Sequence, residues 1–169
     1  MYVKTANPPV PEVYNLGLDL FRDLILRAPI ISPKIISSML EMIKLERDGD
    51  TIDRMILTGV SAMMAKLETP IEGDTAGATV YEVDFVGVFL EKSTEYYALE
   101  SDQYLAQNDV VQYLKKVEQR LREEEARVQM YLQSSTRDKI RRVVELQMIE
   151  KKVLQIIEVG SGRCGPLAS

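Results

Sequence analysis

The sequence predicts an all-α protein with a single core. Six segments repeat apolar residues at the three- and four-residue spacing of an amphipathic helix, and no segment of comparable length alternates strictly as a half-buried strand does. The chain has 169 residues, of which 46% are hydrophobic. That length and composition suffice for one sizeable core and would leave two cores thin.

Prolines and a glycine delimit the first two predicted helices. The first begins in a turn that contains Pro11 and ends before Pro29, because a proline restricts the residue that precedes it. Ser32 followed by Pro33 is typical of the cap and first turn of the second helix, which stops at a glycine in the stretch 47–50. The apolar stripe of the first helix consists of Val13, Tyr14, Leu16, Leu18, Leu20, Phe21, Leu24 and Ile25. The residues expected to face inward on the second are Ile36, Met39, Leu40 and Ile43.

The third predicted helix spans about 52–67, with Asp50 or Thr51 as its cap and Gly59 as a point where another backbone could approach. Its apolar residues are Ile52, Met55, Ile56, Val60, Met63, Met64 and Leu67. The stretch from Glu68 to Thr79 has no periodicity and contains proline and glycine. We expect it to be a mobile surface connection.

Two long helices follow, spanning about 80–107 and 110–132. Core candidates on the fourth are Tyr81, Phe85, Val88, Phe89, Tyr96, Leu99, Tyr104 and Leu105. The fifth has the clearest seam, formed by Val110, Leu114, Val117, Leu121, Val128, Tyr131 and Leu132. Glu124 or Glu125 interrupts that seam, since a carboxylate is rarely buried without a partner.

The sixth predicted helix spans about 136–158, and Ser135 with Asp138 resembles a capping box at its start. Its stripe consists of Ile140, Val143, Val144, Leu146, Ile149, Val153, Ile156 and Ile157. The stripe is too wide to leave in water, so this helix needs packing partners on more than one side. Residues 159–169 are glycine-rich without a pattern and are expected to be a disordered tail.

Charge argues against two classes of partner. The formal net charge is −5, which does not suit a nucleic-acid binder or a protein of anionic membrane surfaces. Residues 112–158 carry 11 basic and 8 acidic groups with interspersed signs, as a solvated helix face does. Neither a targeting segment nor a long apolar run is present, and we expect the protein in cytoplasm and nucleus.

Composition also excludes several kinds of active site. The sequence has no histidine, so histidine-based nucleophile activation, His-ligated zinc, a haem axial histidine and a di-iron bundle are unavailable. Cys164 is the only cysteine, and no disulfide within the chain is possible. An enzyme would need a buried carboxylate pair, for example involving Glu95 or Glu100, and no specific signal indicates one. We therefore predict no catalytic, cofactor-binding or metal-binding residue, and no cofactor.

Weak motifs have simpler interpretations. Residues 160–165 match G-x-G-x-x-G, but the motif follows a helix and opens none, so it is interpreted as a flexible tail. Cys164 beside Arg163 is interpreted as an exposed thiol. Three carboxylates, Glu68, Glu72 and Asp74, lack the spacing of a calcium loop.

Tyrosine is concentrated in the middle of the chain, where six of the eight lie between residues 81 and 131. They could mark a recognition surface, since interfaces are enriched in tyrosine. The favoured interpretation is that each ring is buried and the hydroxyl reaches the wet edge. Met63 and Met64 are likewise interpreted as core filling, with an adaptable contact surface as the alternative.

Several ordered strings resemble the second cullin repeat of the cullin family. They are residues 13–23 (VYNLGLDLFRD), 46–54 (ERDGDTIDR), 80–91, 113–118 (YLKKVE), 120–128 and 131–136, and the similarity continues through the sixth helix. The resemblance covers about residues 11–158. The opening string and the end of the sixth helix are most similar to the third cullin, which uses BTB-domain adaptors.

The resemblance implies an organisation along the chain. Residues 11–133 would form an elongated five-helix cullin repeat, and 136–158 the first helix of the next repeat. Residues 1–10 would be a remnant of the preceding repeat's last helix with its linker, and 159–169 an unrelated tail. The chain is accordingly expected to be a fragment or a truncated gene product.

The resemblance also implies a function. Cullins are scaffolds of RING ubiquitin ligases, so the chain would be a non-catalytic spacer in ubiquitin-dependent protein degradation. BTB-type adaptors and a RING protein would be partners through regions absent from this chain, so no functional residue is carried over. The alternative is a helical protein-interaction module outside ubiquitin ligases, and self-association through uncovered helix ends is a further expectation.

Overall fold

The computed structural model of the protein describes residues 13–69 and 77–160. Every regular element within those ranges is helical, and the one β-type pairing there is an isolated antiparallel bridge between Glu68 and Thr79. The chain divides into two compact units whose boundary lies between Asp50 and Thr51. The predicted all-α class is confirmed.

The first unit begins with α1 (Val13–Phe21), which continues into a π-helical turn at Arg22–Leu26. Arg22 is buried and donates from Nη1 to Asp19 Oδ1 and from Nε to Asp23 Oδ1, both at 2.7 Å. The hydrogen bond from Arg22 holds the pKa of the Asp23 carboxyl below its usual range. The first predicted helix is therefore present, and its last turn is wider than an α-helical one.

The second helix, α2 (Ile31–Asp48), ends as predicted but begins differently. Gly49 follows it at φ 101°, a left-handed conformation that glycine adopts without steric cost. The prediction of Ser32 as the cap is wrong, because the N-cap is Ile30 and no side chain caps it. Pro33 lies at the third helical position, where its missing N–H costs nothing because the first turn leaves that group unbonded. Of the predicted inward residues, Met39 and Ile43 are buried, and Ile36 and Leu40 are half-buried.

The second unit begins with α3 (Arg54–Lys66), whose cap and orientation differ from the prediction. Asp53, not Asp50 or Thr51, is the cap, and its Oδ1 accepts from the Met55 N–H at 3.0 Å. A Cβ placed on Gly59 would meet no neighbouring atom within 4 Å, so the expected close backbone approach there is wrong.

The buried face of α3 consists of Leu57, Ser61 and Met64. The predicted apolar residues Met55 and Ile56 are instead 83% and 54% exposed. A serine occupies the middle of the buried face, and its hydroxyl accepts from Gln133 Nε2 at 3.0 Å. Hydrophobicity alone could not identify this face, because the polar residue belongs to it.

A matched pair of substitutions tests this orientation of α3. We expect Leu57→Ala to lower the free energy of unfolding by about 2–5 kcal/mol, since a fully buried leucine leaves a cavity. Met55→Ala, two residues earlier and largely exposed, should change it by less than about 0.5 kcal/mol. Urea denaturation followed by circular dichroism measures both, and a larger loss for Met55→Ala would contradict the observed face.

The predicted connection after α3 is anchored at both ends. The Thr69 N–H donates to the Ala78 carbonyl and the Val80 N–H to the Leu67 carbonyl, both at 2.8 Å. These bonds make the short bridge noted above, where the sequence predicted an unstructured connection. Its middle, residues 70–76, lies outside the described residues.

Four further helices complete the described part of the second unit. A π-helical segment, Tyr81–Val86, leads into α4 (Gly87–Gln107), and α5 (Val110–Met130) follows after the cap Asp109. Then come α6 (Arg137–Met148) and α7 (Val153–Gly160). The most extensive packing joins α4 to α6, followed by α5 to α6. The assignment of the sixth predicted helix to a following repeat remains a prediction, while α6 itself shares the core with α4 and α5.

The sixth predicted helix differs from expectation at its start and middle. The predicted capping box of Ser135 and Asp138 is wrong, because Thr136 is the N-cap and makes no side-chain cap bond. A 3-10 turn, Glu150–Lys152, separates α6 from α7. The last described helix, α7, ends at Gly160, and the remainder of the predicted tail, 161–169, lies outside the described residues.

The core of the second unit follows a row along α4 and its π-helical start. The row has one residue in every four: Tyr81, Phe85, Phe89, Ser93, Tyr97, Ser101 and Leu105, and all are buried. The aromatic rings of Phe85 and Phe89 stack with centroids 5.5 Å apart. The predicted core residues Val88 and Leu99 lie outside the row and are 37% and 61% exposed. Hydrophobicity does not identify Ser93 and Ser101 as members of the row, because each is a polar residue on a buried face, as Ser61 is on α3.

Candidate functional site

The most distinctive feature of the second unit is a buried polar network between α4 and α5. We use this term for six residues: Tyr97 and Glu100 on α4, and Arg120, Glu123, Glu124 and Arg127 on α5. The residues contributed by α5 recur every three or four positions, so they share the face that turns toward the core. The network occupies the place in the fifth seam where the sequence predicted an interruption.

The inner part of the network is a carboxylate between a phenol and a guanidinium. Glu124 Oε1 accepts from the Tyr97 hydroxyl and, at 2.7 Å, from Arg127 Nη1. Tyr97, Glu124 and Arg127 are 0%, 1% and 4% exposed. Removing two charges from water is costly, so this arrangement is tolerated because each charge has a hydrogen-bonding partner.

The outer part is centred on Arg120. Its Nε donates to Glu100 Oε2 at 2.9 Å and its Nη1 to Glu123 Oε2 at 2.6 Å, while its guanidinium lies 5.9 Å from the centre of the Tyr96 ring. Burial acts to lower the pKa of Arg120, but the hydrogen bonds to Glu100 and Glu123 outweigh it and raise that pKa. These hydrogen bonds therefore favour the charged form of Arg120.

The two parts join into one chain of alternating charge. Arg127 Nη2 lies 3.9 Å from Glu123 Oε2, which connects the inner part to the outer part. At the surface, Lys116 Nζ lies 3.6 Å from Glu100 Oε1 and 5.5 Å from the centre of the Tyr104 ring. A shift of α5 along α4 by one turn would separate every pair that joins the two helices. The network therefore fixes the position of α5 on α4.

Two further tyrosine hydroxyls, one on the π-helical segment before α4 and one on α5, bond to the ends of α6. The Tyr81 hydroxyl lies 2.8 Å from Thr136 Oγ1, and the Tyr113 hydroxyl donates to the Met148 carbonyl at 2.7 Å. Burial raises the pKa of both tyrosines, so both hydroxyls remain protonated near neutral pH. The prediction that tyrosine hydroxyls reach the wet edge is wrong for Tyr81, Tyr97 and Tyr113, whose hydroxyls bond to protein groups in the core.

The carboxylates considered for catalysis do not come together. Glu95 is exposed and pairs with Lys92 at 2.7 Å, and Glu100 pairs with Arg120. Glu68 is exposed, and the other motif residues, Glu72, Asp74, Arg163 and Cys164, lie outside the described residues. Across 13–69 and 77–160 no group of three metal-ligating side chains is placed to hold an ion.

A groove of about 470 Å³ lies between α5 and α6. Its apolar lining is Leu121, Val128 and Ile140. Charged residues at its rim already form ion pairs, including Arg137 with Glu125 at 3.0 Å and Arg122 with Glu118 at 2.8 Å. The groove can accommodate an apolar side chain, and the carboxylates that line it, Glu118, Glu124 and Glu125, are each paired with an arginine.

Exposed apolar residues mark a second surface, where α7 returns to the start of α5. Leu154 and Ile157 on α7 are 73% and 59% exposed, and Val111 and Leu114 on α5 are 61% and 47% exposed. The expected need of the sixth helix for additional packing partners therefore applies to α7 and not to α6, which is covered by α4 and α5.

The network could not be predicted from residue types taken singly. Helical spacing favours Tyr96 over Tyr97 as a core residue, and Glu124 considered alone breaks the seam. The available signal was the four-residue row on α4, which includes Tyr97, together with Glu124 and Arg127 spaced as an ion pair on one helix face.

Comparison with known proteins gives consistent results. Residues 1–167 match the family model of the cullin alpha solenoid domain. Cullin-3B of Arabidopsis thaliana is 35% identical over 158 residues, which are 94% of this chain and 20% of that protein. Cullin-3A of the same plant is 34% identical over 148 residues, 88% of this chain and 19% of that protein. The chain thus spans about a fifth of the length of these curated relatives. Among the described residues, no helix is both long enough and apolar enough to cross a membrane.

Proposed function

The chain belongs to the cullin family, and on that basis we propose that it is a non-catalytic scaffold segment of a cullin-RING ubiquitin ligase. The observation that carries the proposal is the extent of the match, residues 1–167 of 169, to the cullin alpha solenoid domain. In such a ligase the segment acts by holding a substrate adaptor and the RING module at a fixed distance. Its chemistry is positional, and it contributes no reacting group.

The buried polar network supports the spacer role. A spacer must transmit position, so its helices must not slide along one another. Apolar side chains alone allow neighbouring packings of similar energy, whereas a buried charge that loses its partner is penalised by several kcal/mol. The bonds that cross from α5 to α4, Arg120 to Glu100 and Tyr97 to Glu124, therefore make one alignment of the two helices much more favourable than its neighbours.

A rigid spacer accelerates transfer through geometry. Positioning two reactants within reach converts a bimolecular encounter into an effectively unimolecular step. Loss of rigidity between adaptor and RING module would reduce ubiquitin transfer without weakening the binding of either. A damaged spacer therefore loses transfer rate while its partners still bind, whereas a damaged docking module loses its partner.

A chimera tests the proposal. The matched segment of Arabidopsis Cullin-3A is replaced by the 148 residues of this chain that align with it, and the chimera is combined with a BTB adaptor, its substrate and a RING protein. We expect both partners to bind and ubiquitin transfer to proceed. A chimera that binds both partners but transfers no ubiquitin would contradict the scaffold role and favour an interaction module of another kind.

A substitution in α4 of the chimera tests rigidity. Leu99 is 61% exposed, so Leu99→Pro breaks the helix without removing a core side chain, and Leu99→Ala is its matched control. We expect Leu99→Pro to lower the transfer rate at least about tenfold with adaptor and RING still bound, because a misplacement of ~1 Å can cost more than that. Equal rates for the two variants would contradict the spacer role.

A further inference from the structure

The bend between α6 and α7 coincides with an exchange of hydrogen-bond partners. In a continuous α-helix the Lys152 N–H would donate to the Met148 carbonyl, four residues earlier. Here it donates to the Ile149 carbonyl at 3.0 Å, as part of the 3-10 turn. The Met148 carbonyl instead accepts from the Tyr113 hydroxyl on α5 at 2.7 Å.

The hydrogen bond from the Tyr113 hydroxyl to the Met148 carbonyl lies in the core. Tyr113, Met148 and Ser101 are each 0% exposed, so water cannot replace a missing donor. The Ser101 hydroxyl lies 2.7 Å from that of Tyr113. Because the single proton of Tyr113 goes to Met148, Tyr113 can only accept from Ser101, whose hydroxyl also lies 3.5 Å from the Gln147 carbonyl. Ser101 on α4 thus contacts the Tyr113 hydroxyl on α5. That hydroxyl bonds to the Met148 carbonyl, which would otherwise accept a backbone N–H within the helix.

Two ion pairs join the 3-10 turn to neighbouring helices. Lys152 Nζ pairs with the Asp102 carboxylate on α4, and Arg142 on α6 pairs with Glu150 in the 3-10 turn. Beyond the turn, α7 runs back to α5, and a Cβ placed on Gly160 would lie 3.6 Å from Val110 Cγ2. The bend therefore determines where the apolar surface of α7 points.

We propose that Tyr113 and Lys152 form a conformational latch, in which the phenol holds the Met148 carbonyl and the ammonium holds the turn against α4. With the latch closed, residues 137–160 are bent and α7 lies at the start of α5. Without it, the Lys152 N–H recovers the Met148 carbonyl, the stretch becomes one continuous helix and its end moves away from α5. The latch rests on contacts within this unit and does not depend on the proposed ligase role.

Distance measurement between two spin labels tests the latch. Labels are attached at Val111→Cys and Ile157→Cys, both exposed positions, in a Cys164→Ser background that removes the only native cysteine. We expect a narrow distance distribution in the otherwise native chain. With α7 about 12 Å long at 1.5 Å per residue, Tyr113→Phe should lengthen the mean distance by roughly 5 Å or more.

Two companion variants make the result decisive. Lys152→Ala, which removes no aromatic core residue, should broaden the distribution toward longer distances, and it decides the matter if Tyr113→Phe does not fold. Tyr81→Phe deletes an equally buried hydroxyl at the opposite end of α6 and should leave the distance unchanged. Native distributions in both Tyr113→Phe and Lys152→Ala, or an equal lengthening in Tyr81→Phe, would overturn the proposal.

Discussion

Arg127→Met is expected to lower the free energy of unfolding by about 3–5 kcal/mol, because it removes the guanidinium that donates to the buried Glu124 carboxylate. Methionine has a similar length, so the loss reports the charge and not a large cavity. Glu124 is 1% exposed, so its carboxylate is largely shielded from water in the native structure. Urea denaturation followed by circular dichroism gives the difference.

The control for this prediction lies on the same helix. Arg122 pairs with Glu118 at 2.8 Å, but both side chains are more than two-thirds exposed. Arg122→Met should therefore cost less than about 1 kcal/mol, as exposed ion pairs do. A loss in Arg127→Met no larger than in Arg122→Met would show that the network contributes little.

The double substitution Glu124→Leu with Arg127→Met separates the penalty of an orphaned charge from the value of the pair. Replacing both partners by apolar residues often restores stability, so the double variant should be more stable than Arg127→Met alone. A double variant as unstable as the single one would indicate that shape, not charge, is limiting. Recovery of stability together with altered helix alignment would agree with the role assigned to the network.

Phe89→Ala is expected to lower the free energy of unfolding by about 3–5 kcal/mol through the cavity that it leaves. Phe89 is 0% exposed in the middle of the α4 row and stacks on Phe85. Leu99→Ala is the matched control on the same helix, where an exposed leucine should cost less than about 1 kcal/mol. Similar losses in the two variants would contradict the observed orientation of α4, since the sequence predicts both residues in the core.

The helices themselves were predictable because they depend on short-range patterns. Gly49 marks the end of α2, where a left-handed residue is needed, and Val110 opens both the predicted fifth seam and α5. These signals act within one turn, so they can be read without knowledge of the neighbouring helices. The N-caps were less predictable, since those predicted at Ser32, at Asp50 or Thr51, and at Ser135 were wrong.

The buried faces were less predictable because packing partners decide them. Ser61, Ser93 and Ser101 are buried with their hydroxyls bonded, whereas Met55 and Leu99 are exposed. A rule that places apolar residues inside assigns both groups wrongly. The identity of the partner across the interface determines whether a serine or a leucine fits, and that partner lies far away in sequence.

The buried polar network and the bend between α6 and α7 could not be predicted for the same reason, because their bonding partners are distant in the sequence. Glu124 interrupts a seam when α5 is considered alone, and it completes a bonded chain once Tyr97 lies opposite. The break at residues 149–152 has no proline or glycine to signal it. It coincides with a hydroxyl 35 residues earlier in the sequence, which no local pattern connects to Met148.

The most direct test of a rigid second unit is native-state hydrogen exchange of the full chain in low concentrations of urea. If α4, α5 and α6 form one body, their slowest amides should exchange with the same free energy, equal to that of global unfolding. Those of α6 should match those of α4 and α5. A lower opening free energy for α6 alone would show that it detaches independently, and would contradict the assignment of the three helices to one rigid spacer.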